Sequence, residues 1–600
     1  MATSSRPHTV SRPQNLWHTP GVPSFLEDLY RGTFRWDLIH PFPVQDGADQ
    51  QAGDRVLAAF GALLRERVDP TEVDVSQRLP TGLLDALVAG GYTRLQADPE
   101  LGGLGLSSMN TFRIVQAAAS WSMPVAQLLS VQNTIGVGSY LPALPPGPLR
   151  DTISARVRGG VISGNADTEP AGAANRRRMT IATPIEGGAA YLLNGQKVFT
   201  GNGPVAGMVN VTATVQGPDR DRVRVFFVDT SSPGFSVSAH HEFMGLKGFP
   251  AGALTFDNVR VPAELVMVEE EHNRRLTPEL SRLIIRGRVH TIAGPSLAFG
   301  KLCLHWSREF ANRRQVDDRP LGSFEEIQRM VSATLSEVFA LETLAQWCLL
   351  GEDARDGERA VNLRYEQVAA KNLSSMTCWR MVDRTMSLLG AEGYESAQSK
   401  ARRGAQPLPV ERAFREARGL RISGGVDFQI DNWTSQVGIF WCYYPEPENA
   451  RAIESEQVDV SCLDDADLTE PNLDHLRFTA HQVKAFARTC LALARRHPDP
   501  QELFAQEHLL IQLNQVASEL LLMSLVLART SRYGRLGPDS TQELADLYCA
   551  AARRRIDDLW RRITVEQPGE HASASAAWLA GDRWAHLMSD VLTETPPTAS

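Results

Sequence analysis

The side chains able to do chemistry are not gathered in a familiar nucleophile or nucleotide pattern. There is no Gly-x-Ser-x-Gly elbow and no Walker loop. The seven cysteines (Cys303, Cys348, Cys378, Cys442, Cys462, Cys490, Cys549) are dispersed, with no Cys-x-x-Cys pair. That spacing gives no metal site and no disulfide framework; it fits reduced, buried thiols in a cytoplasmic protein. Glycine-rich segments stand out instead: Pro99-Glu100-Leu101-Gly102-Gly103-Leu104-Gly105-Leu106 and Ile422-Ser423-Gly424-Gly425-Val426. A carboxylate tuned by burial can act as a general base. Glu416 and Asp427 lie on either side of the second segment, and both read as solvated or ion-paired surface carboxylates.

The elements that must position these residues follow from periodicity. With 600 residues, 43% hydrophobic and 22% charged, the chain can bury a large core in two or more domains. A net charge of −9 gives no general affinity for nucleic acid. Residues 161–262 break into short alternating runs at 209–215, 222–229, 235–238 and 253–261, which predict strands. Asn194-Gly195 predicts a hairpin turn between two such runs. Helical patterns flank this stretch, at 52–68, 83–89, 111–119 and 125–129 before it. After it they lie at 278–310, 324–350, 362–386, 475–496, 501–532 and 541–563. The longest apolar run, 520–528, is interrupted by Ser524 and is too short to span a bilayer. Residues 1–20 are rich in Ser, Pro and Arg, without the apolar core of a signal peptide. The 61 basic residues are nearly all Arg; the lysines are Lys197, Lys247, Lys301, Lys371, Lys400 and Lys484. A GC-rich genome accounts for that bias.

Thr168-Glu169-Pro170, Leu193-Asn194-Gly195-Gln196-Lys197, Asn202-Gly203 and Thr255-Phe256-Asp257-Asn258-Val259-Arg260-Val261-Pro262 occur in an order and spacing that resemble the middle domain of the acyl-CoA dehydrogenase family. Leu389-Gly390-Ala391-Glu392-Gly393-Tyr394 and the segment from Val410-Glu411-Arg412 to Ile422 resemble its later motifs. The resemblance runs from about residue 24 to 445 and is nearest the very-long-chain branch, which also carries an added C-terminal helical domain. It implies an α+β fold. The expected divisions are a disordered leader 1–23, an N-terminal helical domain 24–158, a middle β domain 159–270 and a helical bundle 271–450. An extra helical domain, 451–592, and a disordered tail, 593–600, complete the chain. It further implies FAD, an acyl thioester on CoA or an acyl carrier protein, and a homodimer or a heteromer with a homologue. Net charge and the short apolar run lead to an expectation of no nucleic acid and no transmembrane segment.

The family reaction needs a base for the α-proton, donors for the thioester oxygen and a flavin for hydride. Here the resemblance meets departures. Gly424 occupies the position of the family Glu and offers only its backbone N–H to the thioester oxygen. The second place where the family carries a Glu is Gly287, beside Arg288. His290, three residues beyond Gly287 and on nearly the same helix face, is a speculative base, with a packed core histidine as the plainer reading. Flavin contacts are carried over to Thr168, Phe199, Thr200, Arg313, Gln315, Gly390 and Gly425. Ala174, Gly201, Asp317, Ser387 and Val426 stand where the family has a polar or packing contact. At roughly 1 kcal/mol per net hydrogen bond, such losses together weaken FAD binding by orders of magnitude, offset in part by backbone donors. Three readings stay open: a member with altered or lost α,β-dehydrogenation, an active dehydrogenase with a relocated base, and a non-catalytic subunit or scaffold.

Overall fold

The β domain is built on a strand that is apolar on one face and polar-buried on the other. In a computed structural model of the chain, describing residues 17–591 apart from 174, 176–177, 218–220, 268–277, 354–360, 538–539, 566–570 and 582, eight strands make one sheet. They are β1 Ser163–Ala166, β2 Ile181–Ile185, β3 Ala190–Gly201, β4 Met208–Val215, β5 Arg222–Asp229, β6 Phe235–His240, β7 Ala251–Pro262 and β8 Val266–Met267. Their order is β6-β7-β3-β2-β4-β5-β8, with β1 parallel to β4. In β4, Val209, Val211 and Ala213 face a core with Leu193, Phe226 and Leu254. On the other face Met208, with Val225 and Phe227 of β5, packs on Tyr140 and Ile153 of the N-terminal helical region. Both faces are therefore covered, which is why β4 is buried nearly end to end.

Asn194-Gly195 does not make the expected hairpin. It lies inside β3, where the register with β7 shifts between Leu193 and Gly195. Asn194 accepts from the Asn258 N–H at 2.9 Å, and a Cβ on Gly195 would sit 2.7 Å from Thr180 Cα. The pair serves a bulge and a close approach of backbones. The real turn between β2 and β3 is Glu186-Gly187-Gly188, all with positive φ. Strands also occur beyond residue 262, in β8 and in a short ribbon of β9 Gln315–Val316 and β10 Arg319–Pro320.

The helical pattern over 278–310 is not one helix. Pro278–Arg288 is followed by a π turn, Val289–Ala293, and then by Gly294–Arg313. Pro295 has no N–H for the carbonyl of Thr291, which accepts instead from Gln127 Nε2 at 2.8 Å. This run packs with Ser108–Trp121, Met123–Thr134, Glu325–Asp353 and Arg364–Leu389 in the main core. The last large helices, Glu470–Arg496, Glu507–Tyr533 and Gln542–Val565, continue that core. Glu507–Tyr533 is long and apolar enough to cross a membrane, more than the 520–528 run suggested, and 78% of its most apolar window is buried in the protein. It packs as a core helix.

Residues 1–16 of the expected leader and all of the expected tail, 593–600, lie outside the described residues. Trp17, within the expected leader, is buried edge-on against Tyr365 and Trp433, and its carbonyl accepts from Asn362 at 2.6 Å. Cys303, Cys348, Cys378, Cys442, Cys490 and Cys549 are buried free thiols.

Candidate functional site

Gly424 and Arg288, far apart in sequence, meet. A Cβ on Gly424 would stand 3.5 Å from Arg288 Cγ and 3.6 Å from its Nε, and a Cβ on Gly425 would be 3.8 Å from its Nη2. The loop is held from both ends by consecutive residues of the Arg364–Leu389 helix. Lys371 Nζ donates to the Arg421 carbonyl at 2.9 Å, and Asn372 Nδ2 donates to the Asp427 carbonyl at 2.8 Å. The Asp427 N–H closes the loop on Arg421 O at 3.2 Å, and the two side chains pair at 2.7 Å. The N–H groups of Gly424 and Gly425 donate to no described residue. With φ of +70° and +108°, both positions suit glycine. The loop is thus a fixed backbone cradle with two open donors beside a guanidinium.

The carboxylates nearest this loop are engaged. Asp427 is buried and paired with Arg421. Asp431 is buried and accepts from Asn372 at 2.6 Å, Asn514 at 2.8 Å and Gln515 at 3.1 Å; burial pushes it up to about 6. Burial, with Arg288 nearby, lowers Lys371 to about 8. Gly287 lies under Arg288 but has no room: a Cβ there would be 2.7 Å from Ile135 Cγ2 and 3.2 Å from Thr134 Oγ1. His290 is fully buried, with Nε2 3.2 Å from the Ser108 carbonyl and the ring edge-on to Phe112. The π turn carries it into the helical core, so the speculative base corrects to a packed histidine. Glu416 is also a correction: it is only 6% exposed and makes no hydrogen bond to a described residue, but lines a cleft that opens to solvent.

The residues carried over as flavin contacts divide into two groups. Thr168 is half-buried, its carbonyl takes the Val198 N–H at 2.9 Å, and its hydroxyl bonds to no described residue. Phe199 is 61% exposed at a φ of +55°, its N–H donates to His241 Nε2 at 3.0 Å, and its ring lies 4.7 Å from that of His241. An open hydroxyl beside an exposed aromatic face fits the ring end of a flavin. Thr200 does not join them. It is 1% exposed because neighbouring strand side chains point to opposite faces. Glu169 is no ligand either: Lys197 at 2.8 Å and the backbone N–H groups of Met179 and Thr180 hold it at about 2.

The second group is exposed. Arg313 pairs with Glu309 at 2.7 Å and reaches Glu392 at 3.5 Å, which ties the β9–β10 ribbon carrying Gln315 to the turn at Gly390. Asp317 and Asp318, both exposed with positive φ, form the tip of that ribbon. Gly390 has open space around it. Ala174 lies outside the described residues.

Residues 164–259 match the family model of the acyl-CoA dehydrogenase middle domain, and residues 283–428 that of the C-terminal domain. The probable acyl-CoA dehydrogenase FadE10 of Mycobacterium tuberculosis is 30% identical over 408 residues, covering 67% of this chain and 61% of FadE10. The very long-chain specific acyl-CoA dehydrogenase of Rattus norvegicus is 24% identical over 438 residues, covering 71% of this chain and 64% of that one. The chain belongs to the acyl-CoA dehydrogenase family. It spans less than two thirds of the length of these curated relatives. An acyl-CoA dehydrogenase complexed with FAD from Bacillus anthracis superposes with a TM-score of 0.74 at 18% identity, over 93% of this chain and 95% of that one. Butyryl-CoA dehydrogenase from Megasphaera elsdenii gives 0.56 at 23% identity, over 65% and 97%. At these identities the likeness is one of fold, and the B. anthracis match extends it through the added C-terminal helices of this acyl-CoA dehydrogenase family member.

Proposed function

We propose that this acyl-CoA dehydrogenase family protein binds an acyl thioester, and FAD weakly, with α,β-dehydrogenation altered or lost. The carrying observation is the Gly424–Gly425 cradle: two open N–H donors against Arg288, with no carboxylate side chain at either family base position. The donors would take a thioester oxygen, and Arg288 would add positive charge beside it. FAD, when bound, supplies hydride acceptance at the β-carbon. Thr168 and Phe199 would hold its ring, and Arg313, Gln315 and Gly390 would meet the rest across an interface with a second copy or a homologue. The buried free thiols support a cytoplasmic location. An active dehydrogenase with a relocated base is the weaker reading, because His290 has no exposed surface.

Purified protein is assayed for flavin absorbance and for turnover of palmitoyl-CoA with an artificial electron acceptor. The expected result is partial or absent flavin and turnover at least 10²-fold below the same assay of Gly424→Glu reconstituted with FAD. Brisk wild-type turnover overturns the proposal. Failure of both proteins to bind acyl-CoA, with no flavin, moves the reading to the scaffold.

A further inference from the structure

A break in one strand sets the two residues assigned to the ring end of a flavin. The ladder between β3 and β7 lapses from Lys197 to Thr200, so Val198 and Phe199 form a bulge. Their N–H groups find other acceptors: Val198 donates to the Thr168 carbonyl at 2.9 Å, and Phe199 to His241 Nε2 at 3.0 Å. Successive donors of one bulge thus tie down both Thr168 and Phe199. Phe199 has a φ of +55°, a region that bulky residues keep only where their surroundings hold them. Its ring is exposed, so packing against the core does not supply that hold.

His241 does. Its backbone N–H extends the β6–β7 ladder to the Ala251 carbonyl at 2.9 Å. The register of β6 on β7 shifts between Val237 and Ala239. Unbroken alternation would put His241 on the side of Phe235 and Val237, which pack on the sheet core; the shift turns it to the exposed ring of Phe199. The two rings lie 4.7 Å apart at 35°, and the Phe243 ring stands 6.1 Å from His241 and 6.4 Å from Phe199. Because Nε2 accepts, the ring proton of the neutral imidazole is on Nδ1. The same segment reaches the Gly424 loop. Arg415 lies in the helix Val410–Leu420 that leads into that loop, and its Nη1 donates to the Met244 carbonyl at 3.0 Å. A Cβ on Gly245 would be 2.7 Å from the Arg415 carbonyl. We propose that His241 is a positioning residue: it holds Phe199 in its left-handed conformation and so presents that aromatic face to the flavin ring. The inference rests on the FAD reading above, and His241 acts through Phe199 without touching the cofactor.

The full chain, stripped of flavin, is titrated with FAD and followed by quenching of flavin fluorescence. His241→Leu should weaken binding about tenfold, the worth of one lost hydrogen bond. His241→Gln, whose Oε1 can accept from the same N–H, should stay within about threefold of the wild type. In a Phe199→Leu background, His241→Leu should change the affinity less than about twofold, because the ring it positions is gone. Nitrogen NMR of the flavin-free protein, labelled at histidine and held at alkaline pH, should show His241 with its proton on Nδ1; the signals missing from His241→Gln identify it. FAD binding that His241→Leu leaves unchanged overturns this inference alone. So does an additive loss in the Phe199→Leu background, which would make His241 a direct contact, and so does a proton on Nε2. Absence of FAD binding by the wild type overturns the flavin reading and this inference with it. Should His241→Leu not fold, the tautomer in the wild type still decides, since a protonated Nε2 cannot accept from Phe199.

Discussion

Gly287 and Gly424 differ in what surrounds them. Gly424 faces Arg288 at ordinary contact distance, so a side chain there meets only the strain of φ +70°. Gly424→Glu should fold and lose about 1–2 kcal/mol. Gly287→Glu would drive a carboxylate against Ile135 Cγ2, with a cost of several kcal/mol. Urea midpoints of the two variants check the order; equal losses would contradict it. Titration belongs to this scale too. Glu366, buried, accepts from the Leu26 N–H at 3.0 Å, and burial pushes it up to about 7. The native state then binds more protons than the unfolded chain between about pH 4.5 and 7. Its contribution is full below the unfolded value and is lost as pH rises through 7, on the order of 3 kcal/mol. Glu366→Gln keeps an acceptor for Leu26, so its stability should fall less from pH 5 to pH 8 than that of the wild type. Parallel pH profiles would refute this.

At the scale of elements, Asp431 joins three helices. It sits on Asp427–Thr434, accepts from Asn372 of Arg364–Leu389, and accepts from Asn514 and Gln515 of Glu507–Tyr533. Asn372 also holds the loop at Asp427, so the added C-terminal helices are linked to the Gly424 cradle through one carboxyl. Asp431→Ala leaves two buried amides, Asn372 and Asn514, and the half-buried Gln515 without their shared acceptor and should cost about 2–4 kcal/mol. Hydrogen exchange of residues 421–427 should quicken in that variant; unchanged exchange there would show the loop to be held without the C-terminal helices.

For the whole molecule, the proposed pairing with a second chain is tested at the β9–β10 ribbon. Gln315, Val316, Arg319 and Pro320 are all exposed, with the Arg319 guanidinium lying 4.7 Å over the Phe324 ring. Light scattering should give twice the 66.0 kDa chain mass at micromolar concentration. Val316→Asp, which places a charge on the exposed apolar position of the ribbon, should shift the population toward monomer. A wild-type monomer under these conditions would count against the interface.

Much of this was legible because it is local. Alternation gave β5 at its observed bounds, and the 83–89 helix ends at Gly90-Gly91 as read. The motif order gave the family, and the resemblance pointed to the glycines at 287 and 424. The Asn-Gly pair misled because a bulge and a hairpin ask for the same backbone freedom, and only the neighbouring strand distinguishes them. The lysines held a signal that went unused. In a chain that uses Arg almost throughout, Lys197, Lys371 and Lys400 are fully buried and donate to carbonyls or carboxylates, a place for a compact cation and not for a planar fork. Glu416 could not be assigned from sequence, because a carboxyl on an amphipathic helix reads as surface until the facing helices are known. Sequence by itself determined the α-β-α order of segments from short-range period, and the family and its fold through the resemblance of its motifs, since those depend on residue type and local spacing. Tertiary structure alone decided that Gly424 rests on Arg288, that His290 is sealed in the core and that Glu416 lines a cavity, since each depends on which distant segments pack together.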